Sequence, residues 1–175
     1  KKCWRNISTM ADTSIAKQTT PAGAPPAGAL RAPASSTRMP EGVQVKPRVP
    51  HYEFADRSIP RYWYDGSPFV THFWDAMSTL FPQGEYFFVR SVDNFKDQVE
   101  DPALKKQMKG FAGQEHTHAR LHGEFNDRLE RLGYRVKPWD KMIGRSLAFG
   151  HKYLPKKVQL AFTVAAEHFT AILAE

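Results

Sequence analysis

Apolar residues recur at helical spacing through most of the chain. Phe69, Phe73, Ala76, Met77 and Leu80 fall three or four residues apart behind Ser67-Pro68. A serine N-cap followed by a first-turn proline is a helix start, and Pro82 should end or kink that helix. A second helix is predicted from Gln83 to about Glu100, with Glu85, Phe88 and Val92 inward and Phe81 just ahead on the same side. Asp101-Pro102 opens a third, running to about Leu132 with Gly133 as its C-terminal stop. Residues 134–154 hold Pro138, Gly144 and Gly150, so only a short helix near Met142–Phe149 is expected there. After Pro155 the pattern is helical again, with Leu160, Val164, Glu167, Ala171 and Ala174 on one face. No segment alternates as a strand would, and the fold class is all-α.

Before these helices the composition changes. Residues 1–50 are rich in Pro, Ala, Ser and Thr and carry seven of the chain's thirteen prolines. Such a segment cannot bury a core, and it reads as a disordered tail ahead of a helical domain over 51–175. Between His51 and Ser67 the aromatic residues Tyr52, Phe54, Tyr62, Trp63 and Tyr64 suggest an extended arm packed on that domain. Met10 is a candidate initiator behind Lys1, and the last residues sit in a helical pattern without a stop signal, so a truncated C-terminus is expected.

Charge sharpens the division. Of the net +7, residues 1–50 supply +6, from eight Lys and Arg against two acids, while residues 51–175 carry seventeen against sixteen. The helical part is nearly neutral and lacks the basic, aromatic-interleaved surface of a nucleic-acid binder, so no nucleic-acid partner is expected. The single cysteine, Cys3, rules out a disulfide framework and a Cys-based zinc site. The longest apolar segment, Leu160–Ala174, carries Glu167 and His168 and is too short to span a bilayer. With no signal-peptide pattern behind Lys1, a cytoplasmic protein without a transmembrane segment is expected.

The chemistry concentrates in Gln114-Glu115-His116-Thr117-His118-Ala119-Arg120-Leu121-His122. At about 100° per residue, Glu115, His118 and His122 share an arc of roughly 60°. The stripe continues through Phe111, Phe125 and Leu129, so it should face inward. Burying a carboxylate and two imidazoles is costly unless they are partnered, and a cation would partner them. Glu85 and Glu167 lie on inward stripes of two other helices. The order Glu, Glu-x-x-His, long connection, Glu is that of a ferritin-like dimetal bundle, incomplete here because a second Glu-x-x-His is needed. The metal-ligand set expected is Glu85, Glu115, His118 and Glu167. His122 is an extra ligand, a hydrogen-bonding neighbour of the ligands, or a proton shuttle. The competing explanation for Glu85 is an ion pair with Arg90 or Arg120. His116 and His168 lie off the stripes, His72 faces an uncertain direction, and His51 and His151 fall outside the predicted helices.

Three blocks carry a resemblance: Phe81-Pro82-Gln83-Gly84-Glu85-Tyr86-Phe87-Phe88-Val89-Arg90-Ser91-Val92; Phe111-Ala112-Gly113-Gln114-Glu115 with His118, His122 and Asn126; and Ala166-Glu167-His168-Phe169-Thr170-Ala171-Ile172-Leu173. Over residues 50 to 175 the chain resembles the predicted metal-dependent hydrolase family of bacterial proteins. The resemblance implies metal-site positions at Glu85, Glu115, His118, His122 and Glu167, and a further ligand-bearing helix beyond Glu175. Donor chemistry alone favours a di-iron oxidase or oxygenase acting on a small apolar substrate, because bridging Glu with terminal His suits iron. Phe87, Phe88, Trp74 and Phe162 are candidate pocket walls. The alternative is a metal-dependent hydrolase, as the family's description implies, and a third reading is a non-catalytic metal-binding or scaffold protein. The cofactor expected is a divalent metal, iron first, with manganese or zinc as alternatives. No Gly-x-Ser-x-Gly, phosphate-cradling loop or His-Glu-x-x-His motif specifies a hydrolase type.

Overall fold

The computed structural model describes residues 45–56 and 58–174; most of the tail predicted over 1–50 lies outside them. The described residues form four helices: α1 (Pro68–Asp93), α2 (Pro102–Arg131), α3 (Val136–Tyr153) and α4 (Lys156–Ala174). The chain is all-α, as its periodicity predicts. Cross-helix partners give the directions. Ser78 meets Asn126 and Glu85 meets His118, so α1 and α2 are antiparallel. Ser91 meets Thr163 and Asn94 meets Gln159, so α1 and α4 are antiparallel too. α1 contacts all three other helices.

The helix starts follow the local chemistry. The Ser67 hydroxyl accepts from the Val70 N–H, and the Asp101 carboxylate accepts from the Ala103 N–H, each ahead of a first-turn proline. Gly133, at φ +91°, makes the left-handed turn that closes α2.

Two expectations need correction. Pro82 neither ends nor splits a helix: α1 runs through it for 26 residues and stops at Asp93 rather than near Glu100. Proline has no N–H for the carbonyl four residues back, here that of Ser78, and the Asn126 side-chain amide donates to that carbonyl instead, at 3.2 Å. Residues 136–153 form one 18-residue helix rather than a short one. Pro138 lies in its first turn, where a missing N–H breaks no helical bond. Gly144 lets it pass the Gln83 side chain, whose Oε1 would lie 3.0 Å from any added Cβ.

The inward faces also differ from the apolar periodicity. α1 buries Thr71, Asp75, Ser78, Pro82 and Glu85 while Phe69 is 81% exposed and Phe73 and Leu80 are also exposed. Phe73, Met77, Leu80, Tyr134 and Trp139 line an open groove of about 670 Å³. On α4 the buried positions are Gln159 and Thr163, Glu167 is half-buried, and Val164 and Ala171 are exposed. Hydrogen bonds turn α4 this way: Ser91 Oγ and Thr163 Oγ1 lie 2.7 Å apart, and Gln159 bonds Asn94 and the His151 and Leu154 carbonyls.

The apolar core gathers Phe54, Leu121, Phe125, Leu129 and Val136, ringed by Tyr52, Trp63, Trp74 and Tyr134. The aromatic arm therefore belongs to the core, with Phe54 and Trp63 both edge-on to Phe125. Further back the arm lies against α2 at two glycines. A Cβ on Gly110 would collide with the Val45 carbonyl, and one on Gly113 would reach 2.7 Å from Pro47 Cγ.

Candidate metal centre

The antiparallel register of α1 and α2 brings Glu85 against the Glu-x-x-His unit. His118 Nδ1 lies 3.3 Å from Glu115 Oε2 and 3.7 Å from Glu85 Oε1. Each of the three residues offers a ligand atom, and these atoms lie within 4.8 Å of one another. Glu85 and Glu115 are almost fully buried, and the His118 side chain is 17% exposed. The ion-pair explanation for Glu85 finds no support in Arg120, which binds Glu124 at 2.6 Å and reaches the Pro50 carbonyl.

Two atoms of this cluster are unsatisfied. Glu85 Oε2 and His118 Nε2 are buried and make no hydrogen bond with the described residues. Leaving one such group unmade costs about 1–3 kcal/mol, more if it is charged. The donor set, two carboxylates and an imidazole, suits a divalent cation of the manganese–iron–zinc range. Two ligand atoms on opposite sides of an ion with bonds of about 2.1 Å lie about 4 Å apart, so the cluster needs little adjustment to hold one.

The electrostatics run the same way. Burial, then the hydrogen bond to Glu115 and the Glu115 and Glu167 charges, push the Glu85 carboxyl well above its ordinary value. Burial also raises Glu115, but hydrogen bonds from Glu85 and His118 and the imidazole charges outweigh it and bring that carboxyl below its ordinary value. Two adjacent buried carboxylates cannot both ionise cheaply, so one proton stays with the pair, on Glu85. On α4, Glu167 is raised to about 7 by burial and by the Glu115 charge, with His118 pulling the other way. Glu167 is not one of the three residues whose ligand atoms lie within 4.8 Å of one another, although its charge is felt at Glu85.

His122 is fully buried one turn along α2, stacked on Phe81 at 4.4 Å, and its Nδ1 lies 2.9 Å from Ser78 Oγ. Burial, then the nearby His118 charge, lowers it to about 3, so its ring is neutral at physiological pH. It does not share the ligand cluster of Glu85, Glu115 and His118. His116 and His168 are exposed, as their off-stripe positions predict. His72 turns to Asp75, and His151 lies in α3 with Nδ1 2.8 Å from Gln159 Oε1. Phe87, Phe88 and Phe162 pack together, but Trp74 belongs to the core around Phe125. The periodic reading missed Ser78 and its bond to His122. The signal was Pro82, which leaves the carbonyl of residue 78, two turns before Glu85 on the same helix, without its helical donor.

A helical protein with a buried carboxylate–imidazole cluster between antiparallel helices is thus defined by its own geometry. Over residues 46–175 the chain matches the model of a family described as predicted metal-dependent hydrolase, and it belongs to that family. No curated protein and no solved structure matches it.

Proposed function

We propose that this protein is a metal-dependent hydrolase of a small-molecule substrate, with its metal held by Glu85, Glu115 and His118. The observation that carries the reading is the pair of buried, unbonded atoms, Glu85 Oε2 and His118 Nε2, inside a three-residue donor cluster. A bound divalent cation supplies Lewis acidity and lowers the pKa of water toward neutrality. The chain's own residues would do the rest. Glu115 would furnish an anionic oxygen, Glu85 a second once its proton is displaced, and His118 an imidazole whose Nδ1 faces both carboxyl groups. Glu167 is the fourth donor of this reading, brought in from α4. The burial of Glu85 and Glu115 keeps water away and strengthens each electrostatic contact.

Family membership favours hydrolysis over the oxygen chemistry that donor type alone suggests. The ferritin-like dimetal arrangement would need a second Glu-x-x-His in addition to these residues. The metal belongs to the manganese, iron and zinc group. The test is a panel of chromogenic carboxylic and phosphoric esters assayed on protein reloaded with each of these ions. Hydrolysis that requires metal and falls at least about 100-fold in Glu115→Ala and His118→Ala supports the reading. Metal-loaded protein that hydrolyses nothing but consumes oxygen would reject it.

A further inference from the structure

The chain of bonds leading from Pro82 to His122 has a defined direction. Because Pro82 has no N–H, the Ser78 carbonyl lacks its helical donor. Asn126 Nδ2 donates to that carbonyl at 3.2 Å. A carbonyl only accepts, so the amide cannot be turned the other way without setting two acceptors against each other. Its orientation leaves Asn126 Oδ1 facing Ser78, 3.0 Å from Oγ, and Oδ1 too can only accept. The single hydroxyl proton of Ser78 is therefore committed to Asn126. His122 Nδ1, 2.9 Å from the same Oγ, meets an oxygen that has only lone pairs to offer. In a neutral imidazole one nitrogen carries the proton and the other the electron pair. Nδ1 must be the protonated one.

We propose that Ser78 and Asn126 are positioning residues that fix His122 as its Nδ1–H tautomer, so that Nε2 acts toward its surroundings as an electron-pair donor. Ser78 and Asn126 are both buried, and His122 is held flat against Phe81, so the ring cannot exchange its two nitrogens by a simple flip without breaking this chain. The ligand class that follows is one that accepts an electron pair: a divalent cation, or the proton of a water or hydroxyl. A hydrogen-bond acceptor is refused at Nε2. The hydrogen bonds of a histidine's other nitrogen set its tautomer in this way at many metal sites. The inference stands whether or not the Glu85 cluster binds metal, since its bonds involve none of that cluster's side chains.

The test is long-range ¹⁵N–¹H correlation NMR of the chelator-treated full chain, with the His122 resonances assigned by His122→Gln. Wild-type protein should show a protonated Nδ1 and an unprotonated Nε2. In Ser78→Ala the acceptor for Nδ1–H is gone, and a signal from the Nε2–H form should grow in. Pro82→Ala returns an N–H to the Ser78 carbonyl and releases the Asn126 amide, so it should give a mixture of tautomers in a protein with intact helicity by circular dichroism. A wild-type ring protonated at Nε2 overturns the proposal, even if neither variant folds. So does a folded Ser78→Ala with the wild-type tautomer. A folded Pro82→Ala that keeps a single Nδ1–H form overturns the part assigned to the proline.

Discussion

Two buried carboxyl groups stand ten residues apart on α1, and their surroundings differ in kind. Asp75 accepts from the Trp63 indole N–H at 3.0 Å and lies 3.4 Å from His72 Nδ1. Burial raises its pKa, and those two bonds, with the His72 and Arg128 charges, pull it back. Glu85 is buried too, yet the charges that act on it are those of two further carboxyls, and its Oε2 has no hydrogen bond among the described residues. Asp75 is a carboxylate whose partners the fold supplies, tying the aromatic arm to α1. Glu85 is one that the described residues leave with an unbonded oxygen. A buried acid alone therefore says little about function; what decides is whether the protein has already satisfied it.

The largest effect expected is on metal content. Glu115→Ala, His118→Ala and Glu85→Ala should each lose stoichiometric metal, read by elemental analysis after reloading, while Asp75→Asn should keep it. Equal retention in all four would erase the distinction between the two carboxyls. Next comes stability of the metal-free protein. Asp75→Ala should cost about 1 kcal/mol in urea unfolding, because it removes the acceptor of the partly buried Trp63 N–H. Glu85→Gln should cost less than Asp75→Ala, since burial and the neighbouring carboxyls already disfavour the Glu85 charge and Gln has its shape.

The pH dependence is a finer test. The Glu85 and Glu167 carboxyls are raised, Glu167 to about 7, so both hold protons that a metal must displace. Metal affinity should therefore rise with pH through about 7 and weaken below it, by up to tenfold per pH unit for each proton released. Calorimetry in buffers of different ionisation enthalpy would count those protons. Glu167→Gln should flatten the slope, and Asp75→Asn should leave it unchanged. A slope that Glu167→Gln does not alter would remove Glu167 from the donor set.

The parts of this picture that depend on local chemistry were legible in the sequence. Ser67-Pro68, Asp101-Pro102 and Gly133 mark helix ends because capping is decided within four residues. The Glu115–His118–His122 stripe was legible because Phe125 and Leu129 extend it into the core. The inward face of α1 was not. Its apolar residues, Phe69, Phe73 and Leu80, form a periodic stripe, but a stripe does not say which face finds a partner, and here Thr71, Asp75 and Ser78 do. Pro82 reads as a break because its repair comes from Asn126, forty-four residues away. The α3 helix was hidden by Pro138 and two glycines, harmless only in view of its actual start and its close pass by Gln83. Glu167 was placed by spacing, but the face around it was not, since Gln159 and Thr163 turn α4 by hydrogen bonds rather than by apolar burial.

The most direct test of the central claim is a titration of chelator-treated protein with manganese(II) or zinc(II), followed by thermal unfolding, wild type beside Glu115→Ala. Saturable binding of at least one ion per chain is predicted, with stability rising by about 2.7 kcal/mol at a free-metal concentration 100 times Kd and no such rise in the variant. Wild type and variant responding alike would mean that the buried Glu85–Glu115–His118 cluster is not a cation site.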